Sequence, residues 1–109
     1  MKIDKSLVSG STTLLVLSLL SREEMYGYQM ITELDRRSDR TFQLKEGTLY
    51  PILHTLEAEG LVRASERSAD GRARRYYALT GKGRRALREK TEEWNAFTEK
   101  VNAVLCGAV

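Results

Sequence analysis

In this chain of 109 residues, no side chain of a type that does catalysis has, at a recognisable spacing, the neighbours it would need. His54 is the one histidine and Cys106 the one cysteine, which leaves neither a Cys/His metal set nor a nucleophile–base pair. Gly81-Lys82-Gly83 lacks the spacing and the preceding strand of a phosphate-cradling loop, and helix capping accounts for it better. No catalytic residue, metal or cofactor is expected. What the chain holds in quantity is cations. The net charge is only +3, with a pI of about 9.2, yet residues 61–90 carry ten Lys/Arg against three Asp/Glu, a local balance of +7. The stretches before and after each balance at −2. Arg72, Arg74 and Arg75 cluster within the patch. Guanidinium groups gathered in this way match phosphate oxygens, so the expected partner is a nucleic-acid backbone.

Phosphate contacts carry no sequence information, and residues 45–60 offer an element that does. Leu49, Ile52, Leu53 and Leu56 recur at the spacing of one helical stripe. The opposite side carries Thr48, Pro51, His54, Thr55 and Ala58, small or hydrogen-bonding groups without the dense charge of a solvated face. Pro51 has no N–H and is expected in the opening turn, which sets the helix start between Lys45 and Gly47. Gly60 supplies the stop. A short helix with an apolar back, an uncluttered front and Lys45 at its N-terminal end fits a DNA groove. His54 belongs near that groove or in solvent.

The remaining elements hold and aim this helix. Leu7 to Leu20 reads as a helix that is apolar almost all round, so it needs cover on two sides, one of them from a second subunit. Ser21 to Met25 reads as a polar connection. Tyr26 to Leu34 reads as a second helix with Gly27, Met30, Ile31 and Leu34 inward. Gly27 in a first turn is conformationally expensive, and its use is the close approach of another element. Of Tyr26 and Tyr28, one packs inward and the other stands half exposed; a phenol donating to a DNA phosphate is the alternative for either. Ser38 to Leu44 is a turn with Phe42 and Leu44 tucked beneath it. Residues 61–67 and 74–80 alternate like strands, and Asp70-Gly71 between them is a hairpin signal. A solvated hairpin whose charges block edge pairing is the plainer reading of its arginines.

Thr80 is the expected N-cap of a last helix, from about Arg84 to Leu105. Leu87, Thr91, Trp94, Phe97, Val101 and Val104 follow three- and four-residue steps, the narrow seam of a dimer arm. Gly107-Ala108-Val109 reads as a frayed end. A lone cysteine rules out an internal disulfide and fits a reducing compartment. The longest apolar run, Leu14 to Leu17, is too short to span a bilayer, and no signal-peptide pattern precedes it. A cytoplasmic protein without membrane contact is expected.

Helix, helix-turn-helix, charged hairpin and long helix is the order of a winged-helix DNA-binding protein. The fold class expected is α+β, mostly α: a winged helix-turn-helix over residues 1–80 and a C-terminal dimerisation helix over 81–109. Tyr26-Gly27-Tyr28, Gly47-Thr48-Leu49-Tyr50-Pro51-Ile52-Leu53, Leu56-Glu57-Ala58-Glu59-Gly60-Leu61 and Arg75-Tyr76-Tyr77-Ala78-Leu79-Thr80 with Gly83 resemble the PadR family of transcriptional regulators. The resemblance runs from about Leu7 to Leu105, and the single last helix is similar to the short branch of that family. It implies a homodimeric repressor whose helix beginning near Lys45 enters the major groove, with Thr48, Tyr50 and Pro51 close to the DNA. It also implies that the hairpin around Gly71 and Arg72 follows the flanking backbone or the minor groove. In a multidrug-binding branch of the family, a tryptophan on the last helix flanks a pocket for flat aromatic compounds. Trp94 is placed for that role, with Leu14, Phe97 and Val101 as companions, though filling the dimer core is the plainer use of it.

The residues expected at phosphates are thus Lys45, Arg72, Arg74, Arg75 and Lys82, and those near base edges Thr48, Pro51 and His54. The partners are double-stranded DNA with a pseudo-palindromic operator, a second copy of the chain, and a small planar aromatic effector at the dimer interface. The rival reading is a winged-helix protein–protein module without DNA affinity. A hydrophobic or acidic hairpin would favour that, and this hairpin is basic.

Overall fold

Helix starts and stops fall where local chemistry puts them. The computed structural model describes residues 2–107, the side chain of Ala69 excepted. In chain order the elements are α1 (Lys5–Leu20), β1 (Met25–Tyr26), α2 (Gly27–Arg37), α3 (Glu46–Ala58), β2 (Val62–Ala69), β3 (Arg72–Leu79) and α4 (Gly81–Leu105). Asp4 caps α1, its carboxylate accepting from the Ser6 amide at 2.8 Å and the Ser6 hydroxyl at 2.6 Å. These bonds lower the Asp4 pKa. The Thr80 hydroxyl caps α4 by accepting from the Gly83 amide at 3.0 Å. That helix opens three residues earlier than expected because glycine at 81 and 83 does not prevent the first turn from forming.

Two boundaries differ from expectation at α2. Met25 is not part of a polar connection: with Tyr26 it forms a short strand against Tyr77 and Tyr76 of β3, and its side chain lies in the core. Two residues are too few to show an alternation, so this strand has no periodic signature. At its far end α2 continues past Leu34 to Arg37, held by Glu33, which pairs with Arg36 at 2.9 Å and Arg37 at 3.2 Å. The Arg36 hydrogen bond, first among the causes, holds the Glu33 carboxyl at about 2. Cations in a last helical turn also suit the helix dipole.

The sheet is antiparallel in the order β1-β3-β2. The hairpin zips from Val62–Leu79 to Ala69–Arg72, leaving Asp70 and Gly71 alone at the tip with φ of 51° and 73°. Two successive positive φ values give the turn type whose twist matches the strands. The connection is therefore tighter than the six residues expected, 68–73. The core lies between α1, α2, α3 and the inner face of the sheet: Val16, Leu17 and Leu20 meet Met30, Leu49, Leu53, Leu56 and Tyr77. Phe42 and Leu44 tuck under the turn as expected, and Ile52 is only half covered. Ala86 and Leu87 pack α4 onto this core, beyond them the helix flanks α1 across an open cleft, and the molecule measures 59 × 31 × 21 Å. Ala108 and Val109, expected as a frayed end, lie outside the described residues.

Candidate nucleic-acid interface

α3 is built to present one side. Its first turn hangs on the Lys45 carbonyl, which accepts from the amides of Thr48 and Leu49 at 3.0 Å each. Pro51 is the sixth residue of the helix rather than part of its opening turn. The amide it lacks would have bonded the carbonyl of Gly47, four residues back. The helix closes on Gly60, whose φ is 76°, with the Leu61 amide donating to the Leu56 carbonyl at 2.9 Å. Leu49, Leu53 and Leu56 are buried, whereas Lys45, Thr48, Pro51, His54, Thr55 and Ala58 are exposed. The open front expected from the sequence is present.

Tyr50 sits elsewhere. It is half-buried against α2, with its hydroxyl so close to Gly27 that a Cβ there would overlap it. Burial, and then the negative charge of Glu46, raise the Tyr50 pKa. This is the close approach for which Gly27 is needed.

The arginines divide between the two faces of the hairpin, because β3 side chains alternate. Arg72 is exposed beside Gly71 at the tip. Arg74 lies over the Tyr26 ring, 4.4 Å from its centroid. Tyr26 meets Tyr76 edge to face at 5.3 Å, and Arg67 covers Tyr76 at 4.8 Å while pairing with Glu24. Arg75 points the other way, donating to Glu66 of β2 at 2.9 Å and to Glu57 of α3 at 3.1 Å. Glu66, above all, raises the Arg75 pKa. Lys82 also has an internal partner, its Nζ donating to the Glu59 carbonyl at the end of α3 at 2.9 Å. Arg75 and Lys82 thus bind neighbouring elements together, and Lys45, Arg72 and Arg74 keep donors toward solvent. No local sequence signal marks Arg67, because its relation to Arg74 depends on strand register.

On the far side, Leu14, Trp94, Phe97 and Val101 are among the residues lining an open cleft of about 590 Å³ between α1 and α4. The Trp94 and Phe97 rings lie 6.1 Å apart. Trp94 is 38% exposed, Phe97 57% and Leu7 60%. Cys106 is exposed at the end of α4. No helix among the described residues is long and apolar enough to cross a membrane.

Residues 16–89 match the sequence model of the Transcriptional regulator PadR-like family. The chain belongs to this family. Transcriptional regulator Rv3488 of Mycobacterium tuberculosis is 44% identical over 84 residues, which cover 77% of this chain and 73% of that protein. A PadR family transcriptional regulator from Eggerthella lenta superposes with a TM-score of 0.82 at 34% identity, over 92% of this chain and 86% of the other. A transcriptional regulator from Clostridium thermocellum gives 0.85 at 28% identity, over 92% and 95%. This PadR-like chain is a DNA-binding transcriptional regulator with a winged-helix fold, and not an enzyme. In that fold α2 and α3 are the helix-turn-helix and the β2–β3 hairpin is the wing.

Proposed function

We propose that the protein is a cytoplasmic homodimeric repressor that lays α3 into the major groove of a pseudo-palindromic operator. The observation that carries this is the exposed row Pro51, His54 and Ala58, free of Lys, Arg, Asp and Glu, beside an arginine-tipped wing. Thr48, Pro51 and His54 approach base edges, and Lys45, Arg72 and Arg74 take phosphates. Tyr50, Arg75 and Lys82 hold the frame in which those residues are presented. Residues 1–80 read the DNA, and the helix from Gly81 onward joins two copies so that half-site centres lie about 34–36 Å apart. Footprinting the region upstream of the protein's own gene at several salt concentrations tests this. Six to ten neutralised phosphates give a log–log salt slope of roughly −5 to −9. Binding that hardly changes between low and moderate salt refutes the proposal. Thr48→Ala should alter base preference at one position in each half-site.

The cleft at Trp94 favours a second element of the same reading, an effector that relieves repression. A flat aromatic compound seated there acts only by binding the two subunit arrangements with different affinity. Titrating planar aromatic compounds against Trp94 fluorescence checks it, and a flat response across a diverse panel leaves packing as the only role of Trp94.

A further inference from the structure

A second cationic site lies on the side of α3 away from the wing, and charge counting along the chain gives no hint of it. An open cleft of about 960 Å³ runs between the start of α1, the α2–α3 turn and the start of α3. Lys2, Lys5, Arg40 and Lys45 are among the residues that line it, with Thr41 and Thr48. No Asp or Glu among the described residues does. The three acids adjacent in sequence are turned to other uses or faces: Asp4 is bonded to Ser6, and neither Asp39 nor Glu46 reaches the lining. The turn that brings Arg40 into it holds two successive non-glycine residues in the left-handed region, Asp39 at φ 51° and Arg40 at φ 66°. Residues 1–60 as a whole balance at −2, so only folding separates these cations from their acidic neighbours.

The position of the cleft follows from helical geometry. Each residue turns α3 by about 100°. Beside the buried ridge of Leu49, Leu53 and Leu56 runs a row containing Tyr50 and Glu57, and Arg75 of the wing bonds to Glu57. Next comes the open front of Pro51, His54 and Ala58. After it comes the row of Thr48, Ile52 and Lys45, all of which line the cleft. The wing and the cleft therefore flank the open front on opposite sides. A helix in the major groove has a phosphate backbone on each side of it.

We propose that this cleft is a phosphate-binding site for the DNA strand opposite the one the wing follows, with Lys2, Lys5 and Arg40 as its cations. The occupant is the backbone of the same duplex, because the cleft shares Lys45 and Thr48 with the reading helix and is complementary to phosphate in charge. This rests on the DNA-binding mode proposed above. It makes α1 a direct DNA contact as well as a core helix, and it clamps α3 from both sides.

The test is the salt dependence of binding to an operator fragment and to an unrelated duplex of equal length, with Lys2→Gln/Lys5→Gln beside wild type. Both lysines are exposed at the chain start, and circular dichroism checks that folding is retained. Four charges lost per dimer should make the slope shallower by about 2–4 and weaken both duplexes alike. Lys100→Gln, far along α4, should keep the wild-type slope, which separates a local contact from net charge. Lys5→Glu should weaken binding further than Lys5→Gln. Wild-type binding with an unchanged slope in the double variant overturns the cleft and leaves the groove reading standing. So does an unchanged slope with loss of inorganic phosphate binding, which makes it a small-anion site. A wild-type protein that binds neither duplex in a salt-dependent way overturns the DNA reading and the cleft with it.

Discussion

Gly27 and Tyr50 show how one residue sets the distance between two elements. Glycine at the first position of α2 looks like a defect in a helix until the Tyr50 hydroxyl is found where its Cβ would be. That a neighbour must come close was legible from the chain, because nothing else justifies the conformational cost. Which neighbour was not legible, since Tyr50 reads equally well as a DNA contact. Gly27→Ala should destabilise the fold by about 1–3 kcal/mol, the usual effect of overpacking, measured as a lower denaturant midpoint with an unchanged slope. Combining it with Tyr50→Phe removes the nearest of the ring atoms that meet the new methyl group and should return part of the loss. A double-mutant cycle with no coupling would show that α2 and α3 do not touch there. Tyr50→Phe also isolates a pH effect. The folded state raises the Tyr50 pKa above its ordinary 10.0, so its contribution to stability is complete below that value and lost as pH rises through the folded-state value. The gap between wild type and Tyr50→Phe in denaturation midpoint should change above about pH 10 and be constant below it.

Among the elements, those with a period were legible and those without were not. The apolar stripe of α3 and the Asp70-Gly71 turn are local signals, and both stand where the sequence puts them. β1 has no such signal, because two residues acquire strand character only by pairing with β3. The division of the arginines was hidden for a related reason: Arg75 and Glu57 are 18 positions apart, and only folding brings them to 3.1 Å. That pair ties the wing to the reading helix, which gives a test with a distinctive sign. Glu57→Gln removes a negative charge next to the DNA-facing side, so electrostatics alone predicts tighter binding. If Arg75 instead sets the angle of the wing, the substitution weakens binding to operator DNA and leaves the salt slope unchanged, as gel-shift titrations will read. Pro51 makes the complementary point within α3. Its place in the second turn leaves the Gly47 carbonyl without its helical donor. Pro51→Ala should raise stability by up to about 3 kcal/mol, seen as a higher midpoint in thermal unfolding. A weaker operator complex in the same variant would mark the proline as retained for contact rather than for folding.

At the scale of the molecule, the long helix leaves most of its apolar residues uncovered within one chain. Only its first turns reach the core; Val104 is 81% exposed and Leu105 76%. α1 repeats the pattern, with Val16, Leu17, Leu19 and Leu20 inside and Leu7 outside, so two helices leave their apolar residues uncovered along the same side. A continuous apolar face of this kind fits an interface, and under the dimer proposed above it is covered by a second copy of the chain. Joining two readers makes the second half-site contact intramolecular, and the gain in affinity is commonly 10²- to 10⁴-fold with no new contact to DNA. Phe97→Asp places a charge in the middle of that face without touching the core or α3. It should yield a folded monomer in sedimentation, with the secondary structure of the wild type. The same variant should lose on the order of 10²-fold or more in operator affinity, while its weaker contact with a single half-site keeps the base preference proposed for Thr48, Pro51 and His54. A Phe97→Asp protein that remains dimeric would put the subunit contact somewhere other than α4 and would leave the spacing of the two reading helices to be set by another surface.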